Sequence, residues 1–138
     1  MSTSIIAGSS GLVGNNILKQ LCEKNHKVIA ITRKPISELP VTASELVIDF
    51  ESFLIEGTLP ACDHVFLCLG TTMKIAGNKD NFRRVDFDYS YDIAKKAFDS
   101  GAKKLTLISS GGADSSSKNF YLRVKGELED SIIDIGFE

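Results

Sequence analysis

Three glycines spaced three residues apart constrain this chain more than any other feature of its sequence. Gly8, Gly11 and Gly14 follow the apolar run at residues 4–7 and open a segment with helical periodicity. In such a strand–turn–helix unit the first glycine allows a tight turn, the second lets a pyrophosphate approach the backbone, and the third lets helix and strand pack closely. The N–H groups at the start of the helix favour phosphate. The sequence therefore predicts a dinucleotide-binding turn, and the strand–helix context makes a turn without a ligand the weaker alternative.

The rest of the chain alternates apolar, β-branched segments with amphipathic ones. The predicted strands lack polar alternation, which is typical of strands buried on both faces of a parallel sheet. With helices between them, they predict an α/β fold: a three-layer, doubly wound parallel sheet, or Rossmann fold. The predicted strands are residues 4–7, 27–31, 45–49, 64–69 and 104–108, and the predicted helices are 12–24, 81–100 and 117–134.

The predicted helices and loops carry further expectations. The inner face of the helix predicted at 81–100 repeats at helical spacing, and we expect Gly101, in a left-handed conformation, to end this helix. Three serines at 115–117 can cap the third helix. Residues 35–44, with two prolines, are expected to form a loop. The inner-face residues are Phe82, Val85, Tyr89, Ile93 and Ala97, and the first helix should likewise bury Val13, Ile17 and Leu21.

Length and charge exclude several classes of function. The 138 residues predict one domain, and a net charge of −2 argues against a nucleic-acid partner. No apolar run approaches the roughly 20 residues that span a bilayer. Three cysteines without metal-ligand spacing predict neither disulfides nor a metal site, with Cys68 as a reduced, buried side chain. We expect a cytoplasmic protein.

The end of the chain suggests a shortened domain. Residues 132–138 stand where a helix of a doubly wound sheet leads into a sixth strand. We expect residues 1–138 to be a C-terminally truncated Rossmann domain that lacks most of the substrate lobe. A naturally short chain is the alternative.

The end of the second predicted strand bears on cofactor choice. An acidic residue about 20 positions beyond the glycines would bind the ribose 2′-hydroxyl of NAD. The corresponding residue is Thr32, followed by Arg33 and Lys34. A hydroxyl and a guanidinium suit a 2′-phosphate, so we predict NADP(H) rather than NAD. The alternative is that the two cations are solvated loop charges. Asp49, after the third strand, could accept from the adenine amino group or be an ordinary turn residue.

A second candidate site lies on the last helix. Tyr121 and Lys125 are four residues apart and share a helix face. A neighbouring ammonium favours the ionised form of a phenol, which suits general acid–base catalysis. Ser109 and Ser110 end the fifth predicted strand, where a hydroxyl could bind a substrate carbonyl. The same spacing also arises by chance on exposed helices, and the dinucleotide-binding context makes the catalytic interpretation more specific.

Four stretches together resemble the short-chain dehydrogenase/reductase superfamily in its extended or atypical branch. They also resemble the Tat-interacting oxidoreductase-like and bacterial nucleoside-diphosphate-sugar epimerase-like proteins. The resemblance covers nearly the whole chain and implies an active site of Ser with Tyr-x-x-x-Lys. The stretches are residues 68–72 (CLGTT), 84–89 (RVDFDY), 109–114 (SSGGAD) and 121–127 (YLRVKGE).

The resemblance implies a role for each matching position. Tyr121 would be the general acid/base, Lys125 would hold the nicotinamide ribose, and Ser110 would orient the substrate, with Ser109 its competitor. Asp86 stands where many relatives have Asn, which puts a proton relay there in doubt. The implied cofactor contacts are Gly8, Ser10, Gly11, Leu12, Val13 and Gly14 at the pyrophosphate, Thr32 and Arg33 at the 2′-phosphate, Asp49 and Phe50 at the adenine, and Leu69, Gly70 and Thr71 along the cofactor.

Two functions follow as hypotheses. The first is an NADP(H)-dependent oxidoreductase that transfers hydride to or from a carbonyl or hydroxyl compound, or an epimerase-like enzyme that uses the cofactor transiently. The second is a weakly catalytic or non-catalytic NADP(H)-binding regulatory protein with a protein partner. The resemblance also implies a possible homodimer through the helices predicted at 81–100 and 117–134.

Overall fold

The computed structural model describes residues 2–9, 11–24, 26–35, 39–40 and 42–138. Within these residues the chain forms one five-stranded, fully parallel sheet. Its strands are β1 (Thr3–Ala7), β2 (Lys27–Thr32), β3 (Ala43–Val47), β4 (His64–Leu67) and β5 (Lys104–Leu107). Its helices are α1 (Leu12–Glu23), α2 (Phe50–Glu56), α3 (Met73–Ala76), α4 (Lys79–Arg83), a π-helix (Arg84–Tyr89), α5 (Ser90–Asp99) and α6 (Phe120–Ile135).

The strand order β3-β2-β1-β4-β5 confirms the predicted doubly wound fold. The chain progresses outward from β1 to β3, then returns to the other side of β1 for β4 and β5. The order therefore reverses between β1 and β4. A sheet with this reversal leaves a crevice beyond the carboxyl ends of the two strands, and ligands of such folds bind there.

Alternating side chains of β1 separate the core into two layers. Ile5 and Ala7 face a large cluster to which α2, α5 and α6 contribute, whereas Ile6 faces a smaller one with Leu18 of α1. All three strand residues are fully buried. Successive strand residues point to opposite faces, so helices must cover both sides, as the unbroken apolar runs predict.

The third strand begins and ends earlier than expected. β3 starts at Ala43, inside the predicted 35–44 loop, and stops at Val47, so the predicted strand at 45–49 is wrong at both ends. Asp49 instead caps α2, a helix that the sequence reading missed. The Asp49 carboxylate satisfies N–H groups that a helix start leaves free, which favours a helix over a longer strand. Residues 36–38 and 41 of the predicted loop lie outside the described residues.

A π-helix interrupts the helix predicted at 81–100. The prediction that Val85 and Tyr89 face inward assumed constant α-helical winding. In the structure both residues are only half-buried. The buried polar residues of this stretch are instead Asp86 and Ser90, each 1% exposed. A π-helix bonds i to i+5 and is wound more widely than an α-helix, which changes the side chains that meet the core. Gly101 follows the helix with φ +102°, which confirms the predicted left-handed end.

The start of α6 and the buried face of α1 also differ from the prediction. α6 begins at Phe120, and its cap is Asn119, whose side chain accepts from Leu122 N–H. Ser117 supports that cap by accepting from the Asn119 N–H rather than capping the helix itself. In α1 the buried residues are Gly14 and Leu18, and Val13 is 44% exposed. The helix packs through its close glycine contact, which turns Val13 away from the sheet.

Among the described residues, no helix is long and apolar enough to cross a membrane.

Candidate functional site

The turn after β1 presses against the end of β4, and two glycines make this possible. Gly8 has φ +90°, and a Cβ there would lie 2.4 Å from the Cys68 carbonyl oxygen. A Cβ on Gly14 would lie 2.2 Å from the Gly8 carbonyl oxygen. Both distances are far inside van der Waals contact, so the fold itself requires these two glycines. The turn consequently sits at the reversal point between β1 and β4.

Gly11 differs from Gly8 and Gly14 because no described residue crowds the place of a side chain there. A Cβ on Gly11 would meet only the Gly8 carbonyl oxygen, at 3.5 Å, and its φ of −80° and ψ of 169° suit any residue. Gly11 is exposed and precedes α1, where no side chain caps the helix and no acidic residue occupies the first turn. The missing side chain thus leaves room at a positive helix end, as a pyrophosphate requires.

The first turn of α1 presents its backbone to the same space. Leu12 is 82% exposed and Val13 44% exposed, which is unusual for large apolar residues. Both lie where the sequence predicted cofactor contacts. Ser10, also predicted to contact the pyrophosphate, lies outside the described residues.

Two buried hydroxyls near this crevice have no hydrogen-bond partner among the described residues. They are Ser9 Oγ in the glycine turn and Thr32 Oγ1 at the end of β2, in residues 2% and 8% exposed. Buried hydroxyls are usually hydrogen-bonded, so unpaired ones call for an explanation. A dinucleotide along the carboxyl ends of β1 and β2 would supply acceptors. Arg33 follows Thr32 and is exposed, so the residues present fit the predicted cofactor.

The predicted adenine contacts occupy the start of α2. Asp49 Oδ1 accepts from the N–H groups of Glu51 and Ser52, at 3.0 and 3.3 Å. Phe50 is buried, and its ring stacks on Tyr89 with centroids 4.8 Å apart. Asp49 is exposed at the sheet edge, whereas Phe50 can reach a ligand only through its backbone. The adenine role of both residues stays a prediction.

The segment after β4 is expected to run along the cofactor, and it begins where Cys68 and Leu69 meet Gly8 of the glycine turn. Gly70 is exposed, with no heavy atom within 4 Å of a Cβ built on it, and Leu69 and Thr71 are half-buried. Cys68 is half-buried rather than fully buried, and burial raises the pKa of its thiol. It forms no disulfide among the described residues, and the raised pKa favours the protonated thiol.

Tyr121 and Lys125 share one face of α6, as their spacing predicts. The Tyr121 side chain is partly exposed, and its ring packs 5.4 Å from the ring of fully buried Phe82. Lys125 is 5% exposed, and its Nζ lies 5.6 Å from the Tyr121 ring centroid. The phenol thus remains accessible while the ammonium lies beneath the surface.

A buried carboxylate pairs with this lysine. Asp86 Oδ1 lies 2.7 Å from Lys125 Nζ, and the two side chains are 0% and 7% exposed. Burial raises the pKa of Asp86, and the Lys125 ammonium opposes that rise. Lys125 consequently does not act on Tyr121 as a lone cation. The sequence reading marked position 86 only for its departure from Asn, since helical periodicity could not place it opposite Lys125.

The two serines after β5 have different partners. Ser109 Oγ donates to Glu129 Oε2 on α6, at 2.7 Å. Ser110 Oγ has only a long contact of 3.4 Å with the Gly111 carbonyl oxygen. Of the pair, Ser110 is therefore the hydroxyl not committed to another side chain. Its catalytic role stays a prediction.

A cluster of charges between α2 and the π-helix was missed by the sequence reading. Arg84 Nε and Nη2 donate to the two oxygens of Glu51, at 2.9 and 2.6 Å, and Tyr89 also donates to Glu51. These hydrogen bonds lower the pKa of Glu51 to about 2, and burial together with Glu51 raises that of Tyr89 to about 12. The cluster fixes α2 against the helix that carries Asp86.

Comparison with known proteins identifies the family of the chain. Residues 8–134 match a family model described as NAD(P)H-binding. HTATIP2 of Rattus norvegicus is 39% identical over 141 residues, which cover 96% of this chain and 57% of that protein. The mitochondrial protein FMP52 of Meyerozyma guilliermondii is 37% identical over 139 residues, or 97% and 60% of the two chains. The chain thus spans about 60% of the length of these relatives.

Solved structures match the fold at low sequence identity. The UDP-Glc/GlcNAc 4-epimerase of Campylobacter jejuni has a TM-score of 0.80 at 13% identity and covers 98% of this chain and 49% of its own. Human epimerase family protein SDR39U1 with NADPH has a TM-score of 0.70 at 14% identity and covers 94% and 48%. MoeE5, solved with UDP-glucose and NAD, has a TM-score of 0.78 at 15% identity and covers 96% and 48%. The Rossmann fold and the resemblance to short-chain dehydrogenases/reductases and epimerase-like proteins are confirmed.

The matched region begins at the glycine turn and includes the helix face of Tyr121 and Lys125. The geometry of the turn and the extent of the match agree, and the chain belongs to the NAD(P)H-binding family.

Proposed function

We propose that this protein is an NADP(H)-dependent oxidoreductase that transfers hydride to or from a carbonyl or hydroxyl compound. The observation that carries the proposal is the pairing, within an NAD(P)-binding domain, of a partly exposed Tyr121 phenol with the Lys125 ammonium one turn away on α6. A phenol held at the ligand edge of the sheet can exchange a proton with a substrate oxygen.

Each residue has a distinct part in this reaction. The bound nicotinamide supplies or accepts the hydride. The N–H groups around Gly11 hold the pyrophosphate, and Lys125 donates to the nicotinamide ribose. Ser110 donates to the substrate oxygen, and Tyr121 gives that oxygen its proton as the carbonyl becomes an alcohol. In the reverse direction Tyr121 accepts the proton.

NADPH fluorescence on titration, followed by NADPH oxidation with a panel of aldehydes and ketones, tests the proposal in the full-length protein. Saturable binding with turnover supports the oxidoreductase. UDP-glucose belongs in the panel because its conversion without net loss of NADPH would identify the epimerase-like alternative. Binding without any turnover would favour the regulatory protein, and an absence of binding would exclude all three.

Removal of the Arg33 guanidinium is expected to weaken NADPH binding selectively. The proposal assigns Thr32 and Arg33 to a 2′-phosphate, and a hydrogen bond to a charged group contributes about 1.5–3 kcal/mol. Arg33→Ala should therefore lower the NADPH affinity by about 10- to 150-fold and leave the NADH affinity unchanged. Titration of both cofactors measures the ratio.

Lys27→Ala is the matched control, since it removes an exposed cation at the opposite end of β2. It should change neither affinity. Equal losses of NADPH and NADH affinity in Arg33→Ala would contradict NADP(H) preference.

The cytoplasmic location, the homodimer or protein partner, and the small-molecule substrate stay predictions for this chain. Light scattering of the purified protein and imaging of a tagged full-length form would test the first two. The FMP52 relatives carry the word mitochondrial in their names, so imaging should include a mitochondrial marker.

A further inference from the structure

Asp86 is a carboxylate in a place where carboxylates are rarely found. Its side chain is fully buried in the structure, and neither Oδ1 nor Oδ2 has a hydrogen-bond partner among the described residues. An isolated charge in such a position costs several kcal/mol, and breaking a buried pair costs about 3–5 kcal/mol. Among the described residues, the charge that compensates it is the Lys125 ammonium at 2.7 Å. Each residue of the pair therefore depends on the other for its buried charge.

The π-helix explains how Asp86 reaches this position. Phe82, Asp86 and Ser90 are spaced by four residues, and all are at most 1% exposed. In an α-helix of 3.6 residues per turn, each step of four residues exceeds a full turn, so the three side chains drift round the helix axis. A π-helix rotates less per residue, which offsets this drift and keeps the three side chains on one side. π-helical segments are uncommon and frequently lie at functional sites. Here the segment turns a charged residue inward, towards α6.

The contacts of Lys125 leave part of its ammonium available. A lysine ammonium has three N–H donors. The described contacts of Lys125 are the ion pair with Asp86 and the approach to the Tyr121 ring. The 2.7 Å contact with Asp86 Oδ1 is an ion pair without hydrogen-bond geometry, and no described residue takes up the N–H donors of Lys125, which remain for acceptors on the cofactor side of α6.

We propose that Asp86 is the positioning residue of Lys125: presented by the π-helix, it anchors the ammonium by a direct ion pair so that the N–H groups of Lys125 face the ribose hydroxyls of the cofactor. This inference rests on the proposed function. It assigns the pair a role in cofactor binding beyond the stability of the fold.

Variants of the pair test the proposal through NADPH affinity. The set is Asp86→Asn, Lys125→Met and the double variant, with the unfolding free energy of each measured beside its dissociation constant. Asp86→Asn keeps the shape of the side chain but removes the charge that anchors the ammonium. It should weaken NADPH binding about tenfold or more, as Lys125→Met does, because a charge-assisted hydrogen bond is lost in each. The double variant should be no weaker than Lys125→Met alone.

Glu127→Gln is the matched control. It likewise replaces a carboxylate by an amide two residues from Lys125, and it breaks the Arg83–Glu127 ion pair of 2.5 Å, which joins α6 to α4. It should leave the NADPH affinity unchanged. A folded Asp86→Asn variant with wild-type affinity would overturn the proposal, as would losses that multiply in the double variant.

A measurement on the wild-type protein covers the case in which Asp86→Asn does not fold. In nuclear magnetic resonance, the Lys125 ¹⁵Nζ signal should shift on addition of NADP⁺, while the ¹³Cγ signal of Asp86 remains that of a carboxylate. An unchanged Lys125 signal in saturated protein would overturn the positioning role and leave the proposed function standing. Wild-type protein that does not bind NADP(H) would overturn both.

Discussion

Replacing Tyr121 with Phe is expected to abolish most turnover of a carbonyl substrate and to leave the protein folded and able to bind NADPH. The substitution removes only the phenolic oxygen, while the ring contact with Phe82 is retained. Loss of a general acid in the transition state lowers the rate by about 100- to 10,000-fold. Steady-state kinetics should show the loss in kcat rather than in the NADPH dissociation constant.

Tyr91→Phe provides the control for that experiment. Tyr91 is a half-buried tyrosine of α5 whose ring contacts Phe87 edge-on, and it lies outside the proposed site. Removing its hydroxyl should leave kcat unchanged. If Tyr121→Phe keeps wild-type turnover, another group must move the proton, and the proposed role of Tyr121 is wrong.

Substitutions at two glycines of the turn should separate an effect on stability from an effect on NADPH binding. Gly14→Ala places a methyl group 2.2 Å from the Gly8 carbonyl oxygen, which belongs to the backbone and cannot swing away. Overpacking of this kind costs about 1–3 kcal/mol, and a contact with backbone lies at the upper end. Urea unfolding should show the loss directly, and any loss of NADPH binding should follow from it.

Gly11→Ala should have the opposite effect: it should weaken NADPH binding and leave the unfolding free energy nearly unchanged. Its backbone conformation suits alanine, and the nearest atom to the new Cβ is 3.5 Å away. The unfolding free energy should stay within about 1 kcal/mol of wild type, because a stiffer unfolded chain offsets a poorer helix cap. The methyl group would occupy the path of the pyrophosphate and should lower NADPH affinity about tenfold or more, in line with the cost of overpacking. Unchanged affinity in Gly11→Ala would contradict a pyrophosphate site at this turn.

Most of the fold could be predicted because its signals are local. Unbroken apolar runs such as the one containing Ile5 and Ile6 identify strands buried on both faces, and their alternation with helices leaves few arrangements other than a parallel sheet. The boundaries were less predictable. The start of α2 depends on hydrogen bonds from backbone N–H groups to the Asp49 side chain. In the sequence, the same short segment resembles the end of a strand.

For the candidate site, too, the sequence supplied the local patterns and the tertiary structure supplied the contacts. The spacing of Gly8, Gly11 and Gly14 and that of Tyr121 and Lys125 determined both groups of residues from the sequence alone, since each group lies on one local element. Only the tertiary structure showed that Gly8 serves the packing of the turn against the end of β4 and Gly14 the packing of α1 against the turn, while Gly11 leaves open space. The contact of Gly8 is with Cys68, which is distant in the chain.

The Asp86–Lys125 pair was decided by the tertiary structure alone. Asp86 lies on a helix that the sequence predicts to be regular, and regular winding would direct a neighbouring apolar residue inward instead. A π-helix is set by packing between helices and has no strong periodic signal in the sequence. The sequence thus determined the parallel sheet, the glycine turn and the tyrosine–lysine face, because these are properties of short segments. The fold decided which charge meets Lys125, because that contact joins two helices 39 positions apart in the sequence.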